Sequence, residues 1–113
     1  MKLVVLVRAD LGMGRGKTAA QVAHAAVAAT LRAVGSPRLQ AWLADGQPKV
    51  VLRVDSEDEL GDVVHAAEQA RLPVEVVADA GRTQVAAGTV TCAAIGPADD
   101  ETLDAVTGTL RLY

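Results

Sequence analysis

Leu3-Val4-Val5-Leu6-Val7 is an unbroken aliphatic run, and a few positions later Gly12, Gly14 and Gly16 alternate through a short segment. A strand with one wet face alternates apolar and polar residues, whereas a continuous run is the pattern of a strand covered on both faces. The glycines then interrupt regular structure, because each loses much backbone freedom in a helix or strand. A buried strand, a glycine loop and a following Ala-rich segment together point to an α/β fold.

The Ala-rich segment predicts a helix over 16–34, closed by Gly35 in the usual C-terminal glycine position. Ser36-Pro37 supplies an N-cap and a first-turn proline for a short helix holding Leu39, Trp42 and Leu43 and stopping at Gly46. A second strand is expected over 50–54. Ser56 and Glu59 have capping-box spacing, so a third helix starts there with Leu60, Val63, Val64 and Ala67 as its apolar stripe. Strands follow over 74–77 and 90–95, and a last helix over 99–107 ends at Gly108. The order is β-α-α-β-α-β-β-α. The two helical crossovers imply parallel neighbours, and the helix-free link between the last two strands allows an antiparallel pair, giving a mixed four-stranded sheet.

The 113 residues are expected to form one domain, 1–113, with no repeat or linker. With one Trp, one Tyr and no Phe, the core has to be built from Val, Leu and Ala. Cys92 is the only cysteine, so no intrachain disulfide forms, a reducing cytoplasm is the expected setting, and the thiol reads as a small core residue. No apolar run has the length of a membrane span, and the opening run is too short for a signal peptide. The net charge of −3 does not announce a nucleic-acid partner. From Lys2 to Arg53, however, Lys and Arg far outnumber Asp10 and Asp45, and the glycine loop lies in this basic half.

Lys17, Gln21 and His24 fall within roughly 60° of one another on the first helix, a polar stripe among alanines. A solvated face is the plain alternative. Against it, a lysine in the first turn opposes the helix dipole unless an anion is at hand. Free backbone N–H groups at an uncapped start beside Arg15 and Lys17 form a ready anion site. His24 is of a residue type that serves as acid or base, although a lone helix histidine is more often structural; His65 has no comparable context. Gly14 to Thr18 ends like a phosphate-binding P-loop, but Leu11 stands where that motif needs glycine, and Gly12 comes one residue late. A second polar loop, from Asp79 through Arg82, Thr83, Gln84 and Thr89 to Thr91, can hold a water and bind phosphate or ribose oxygens.

These residues resemble the archaeal and eukaryotic class of peptidyl-tRNA hydrolase along essentially the whole chain. The resemblance is carried by Arg8-Ala-Asp-Leu, Met13-Gly-Arg-Gly-Lys17, Ala20-Gln-Val-Ala-His-Ala25, Trp42 with Gly46-Gln47, and Lys49-Val-Val-Leu52. Leu72-Pro73, Asp79-Ala-Gly-Arg-Thr-Gln84, Gly88-Thr-Val-Thr91, Ile95-Gly-Pro97 and Thr107-Gly108 continue it. Gly12 and Arg15 stand where lysines are frequent, and Ala87 where proline is frequent. The resemblance implies a three-layer α/β/α sandwich around a mixed four-stranded sheet. It also implies hydrolysis of the ester between peptide and tRNA without metal or cofactor, on peptidyl-tRNA and away from membranes. Matching positions make Lys17, His24, Asp79, Thr83 and Thr91 the catalytic candidates. Gly14, Arg15, Gly16, Gln21, Arg82, Gln84 and Thr89 are the substrate-binding candidates. Homodimers are common in that family, though no residue here sets the oligomeric state. Replacing Lys17 or Asp79 by Ala is expected to cut turnover sharply and leave folding intact. The alternative is a non-catalytic RNA- or protein-binding module of the same fold.

Overall fold

In the computed structural model, which describes residues 1–81 and 85–113, the opening run becomes β1 (Lys2–Arg8), buried from Leu3 onward. Its alternate side chains divide between two cores. Leu3, Val5 and Val7 point to one face, with Ala25, Ala29, Leu39 and Trp42. Val4 and Leu6 point to the other, with Leu60, Val64, Ala67 and Leu103. Absence of alternation in the sequence thus reports a strand between two helical layers, as expected.

The first layer holds α1 (Arg15–Arg32) and α2 (Pro37–Ala44); the second holds α3 (Glu57–Gln69) and α4 (Asp100–Thr107). Capping follows local sequence. Ser36 Oγ accepts from Leu39 N at 3.4 Å, and Ser56 Oγ from Glu59 N at 3.0 Å. Glu59 reaches back to Asp55 N at 3.3 Å, one residue before the cap. Asp99, expected inside the last helix, is its cap and accepts from Thr102 N at 2.9 Å. The Thr102 hydroxyl and N–H hold the Asp99 carboxyl below its usual range. A short 3-10 turn, Ala9–Leu11, leads off β1 and was not signalled by the glycines.

The remaining strands are β2 (Lys49–Val54), β3 (Val74–Ala78) and β4 (Val90–Ala98). Their order is β2-β1-β4-β3, with β1 parallel to β2 and β4 antiparallel to both β1 and β3. The sheet is mixed, as expected. One expectation needs correcting: the second crossover, through α3, does not bring neighbours together. It carries the chain to the opposite edge, because β4 returns between β1 and β3 and takes the hydrogen bonds of both.

Alanine shapes the α1 side. Ala25 and Ala29 of α1 pack with Cys92 and Ala94 of β4 in the same core, and small side chains let helix and sheet approach closely. Cys92 is fully buried there, and burial pushes its thiol up to about 11. No helix among the described residues is long and apolar enough to cross a membrane.

Candidate functional site

β1 and β3 run in the same direction, so the glycine loop after β1 and the turn after β3 leave from the same end of the sheet. Ligands favour the carboxyl ends of strands in such sheets. Gly14 caps α1 with no side-chain hydrogen bond to its first turn, so the start lacks a side-chain cap, as its sequence suggested. The opposing turn is tightly tied. Asp79 N donates to Thr89 O at 2.8 Å, and Gly88 N donates to Asp79 O at 2.8 Å, so the loop closes on the aspartate.

Across this gap Lys17 Nζ donates to Asp79 Oδ1, the two side chains being 7% and 3% exposed. The anion that Lys17 needed in the first turn is therefore a carboxylate of the same chain. The burial also overturns the expectation that either residue can become Ala without harm to folding. Removing one partner leaves the other charge buried and uncompensated.

Asp79 Oδ2 accepts from Gly81 N at 2.7 Å, which requires the left-handed backbone of Gly81 at φ +81. A Cβ there would lie 2.6 Å from Ala87 Cβ and 2.9 Å from its Cα. Gly81→Ala must therefore reopen the turn and withdraw that N–H. The expected result is a loss of turnover of at least about tenfold, the scale of one charge-assisted hydrogen bond, with a melting temperature close to wild type because the turn is local. Unchanged kcat in a folded variant removes the positioning role of Gly81.

A cavity of about 620 Å³ opens from the ion pair. Lys17, Gln21, His24 and Ala28 line it from α1, and residues 76–80 from the β3 side. The stripe inferred from helical spacing thus faces one space. His24 is exposed and lines that cavity, with no hydrogen bond to Lys17 or Asp79 in the structure.

Thr91 is fully buried and does not line the cavity; its hydroxyl donates to Gln21 Oε1 at 2.5 Å and approaches Val77 O at 3.3 Å. A bulge explains its direction. Val77 pairs with Cys92 and Ala78 with Val90, leaving Thr91 as the extra residue on β4. Bulges re-aim side chains, and here Thr91 turns toward α1 together with Cys92, whose Sγ lies 3.3 Å from Gln21 O. With Oε1 taken, Gln21 has its amide N–H groups to offer.

The substrate-binding candidates divide. Gly14 and Gly16 lie at the α1 start. Gly14 O accepts from Thr18 N at 2.9 Å, and a Cβ on Gly16 would meet open space. Arg15 is exposed and faces a different cavity, of about 710 Å³, shared with Val51, Lys49 and Tyr113. Thr89 contributes its carbonyl to Asp79 N. Arg82, Thr83 and Gln84 lie outside the described residues. Among the described residues no group of three His, Cys, Asp or Glu side chains could hold a metal ion.

Sequence reasoning gives Arg8 no site role, although an Arg closing an apolar run two residues before Asp10 is a usable signal. Arg8 is 8% exposed. It donates to Val90 O at 3.0 Å and to both Asp10 oxygens, at 3.1 and 2.7 Å, fastening the end of β1 to the start of β4 beside the bulge. The guanidinium holds the Asp10 carboxyl below its usual range.

A mixed α/β/α sheet with a glycine loop at one helix mouth, facing a tied aspartate turn, defines an α/β protein whose cleft joins a cation to a carboxylate. Residues 1–113 match the family model described as Peptidyl-tRNA hydrolase PTH2. The chain is similar to a peptidyl-tRNA hydrolase of Metallosphaera sedula, 53% identical over 116 residues and 99% of each chain. It is similar to those of Haloquadratum walsbyi, 49% over 113 residues and 100% of each, and Methanocaldococcus jannaschii, 49% over 114 residues and 99% of each. The chain belongs to the peptidyl-tRNA hydrolase PTH2 family.

Proposed function

We propose that this chain hydrolyses the ester joining a peptide to the terminal ribose of tRNA, releasing free tRNA and peptide in the cytoplasm. The observation that carries the site assignment is the buried Lys17–Asp79 pair opening on one cavity. Ester hydrolysis needs an oriented water, a proton acceptor and positive charge near the developing oxyanion. Lys17 supplies the charge. Asp79, fixed by Lys17 and by Gly81 N–H, orients the water and accepts its proton. Gln21 offers amide donors to the ester or ribose, and Thr91 is a positioning residue that holds Gln21. His24, at the exposed rim, contacts the substrate or relays a proton. Thr83, Arg82 and Gln84 belong to the same loop as Asp79 and complete the set in this reading. Water attacks directly; the only thiol, Cys92, is buried and strongly held in its protonated form.

Gly14, Arg15 and Gly16 at the helix start, with Thr89 on the facing loop, lie where the RNA end arrives. Phosphate contacts from this side make activity fall as salt rises. The test is incubation with N-blocked aminoacyl-tRNA at low and high salt, beside free aminoacyl-tRNA. Release of the blocked amino acid, faster at low salt, is expected; folded protein that cleaves neither substrate overturns the reading. The same reading includes a homodimer. Val27 and Leu31 of α1, with Val34 in the turn just after it, are 58%, 67% and 67% exposed and form an outward apolar patch that a second copy would cover. A monomeric mass by light scattering at working concentration removes that part.

A further inference from the structure

The cavity at Lys17 and Asp79 runs away from the ion pair, along α1 to Ala28 and beside β3. We infer that this trough receives the peptide part of the substrate, laid as an added parallel strand on the outer edge of β3. The inference rests on the reading of Lys17 and Asp79 as the ester site.

β3 is the last strand of the sheet order, so its outer edge has no strand partner among the described residues. Main-chain direction alternates along a strand. Pro73 O accepts from Gly96 N, and Asp79 N donates to Thr89 O, so the odd-numbered residues between them face β4. The bulge lies on β4 and leaves this alternation intact. Val74, Val76 and Ala78 therefore turn their N–H and C=O groups outward. Arg32 Nη1 takes Val74 O at 2.6 Å while also reaching Glu75 Oε1 at 3.1 Å, which closes the edge at its far end. Val76 and Ala78 keep outward groups next to the trough.

Chemistry and direction favour a peptide. Among the described residues the fixed charges lining the trough are Lys17 and Asp79, which pair with each other, so a phosphate backbone would find no spare cation among them. A main chain of any sequence finds instead an apolar floor and unpaired backbone groups, the requirement of strand addition. The reacting carbonyl belongs to the last residue of the peptide and sits at the Asp79 end. The peptide's N-terminus then points toward Val74, and the peptide runs in the direction of β3. From Lys17 to Ala28 the helix rises about 16 Å, room for about five extended residues.

The test is a series of N-acetylated alanine peptides, one to six residues long, esterified to the same tRNA. KM is expected to fall through the first four or five residues and then level, with kcat little changed. Backbone N-methylation, moved one residue at a time along the longest peptide, should raise KM about three- to tenfold at alternate positions only. That period of two is a signature a featureless apolar trough does not give. On the protein side, Val76→Pro removes an outward N–H that serves no ladder bond, and is expected to raise KM for the longest peptide. The N-methylation series decides the matter even if this variant does not fold. Cleavage with a KM independent of length, or with no alternation, overturns this inference alone. Cleavage of no member of the series overturns the hydrolase reading, and this one with it.

Discussion

Lys17→Ala and Asp79→Ala should each lower kcat/KM at least about 100-fold, the scale of losing one oxyanion-stabilising group, and each should also destabilise the fold. Both side chains are almost wholly buried, so truncating either strands the other charge in a poorly solvated place, at a cost of about 3–5 kcal/mol. Loss of activity in a single variant is therefore ambiguous on its own. Lys17→Met combined with Asp79→Leu resolves it, because apolar residues of similar volume often replace a buried pair with little loss of stability. The double variant should melt near wild type and remain inactive. Chemical denaturation of the four proteins, read beside peptidyl-tRNA cleavage, separates structure from catalysis. A stable double variant that still turns over removes both residues from the chemistry.

Trp42→Ala should produce the largest loss of stability of any substitution away from the cleft. Trp42 is 1% exposed, its Nε1 donates to Pro48 O at 2.9 Å, and Lys49 Nζ lies 5.3 Å from the ring centroid. It is the one aromatic among the buried residues of its core, beside aliphatic side chains, alanines, Met13 and Cys92. Deleting it costs about 3–5 kcal/mol in cavity and lost burial, or roughly 10–20 °C of melting temperature in a domain of this size. Trp42→Phe keeps most of the volume and should lose far less. Because Trp42 lines no part of the Lys17 cavity, Trp42→Ala should cleave substrate at a near-normal rate well below its transition. A melting temperature within a few degrees of wild type contradicts this account of the core.

What could be read from the chain follows the range of the forces involved. Caps at Ser36 and Ser56 depend on residues three positions apart, and they were legible. So was the two-sided burial of β1, because it needs only the missing alternation. The return of β4 between β1 and β3 is set by pairing between distant segments, so the second crossover was placed beside the wrong neighbour. At the site, Lys17 against the helix dipole announced an anion but not which one; Asp79, 62 residues away, is brought to it by the fold. Thr91 stands out in the sequence as part of a polar loop and becomes a catalytic candidate only through family resemblance; its role as support for Gln21 depends on a bulge that strand alternation does not report. The open edge of β3 is likewise a property of strand order.

The burial of Cys92 has a practical consequence for following the reaction. With the only native thiol enclosed and its ionisation displaced to about 11, almost none is thiolate near neutral pH. A cysteine introduced at exposed Ala105 on α4, on the side of the sheet opposite α1, would be the single group that maleimide dyes label in the folded protein. Donor and acceptor dyes on that position and on the tRNA would then report docking and departure in real time, in a chain that keeps its own cysteine.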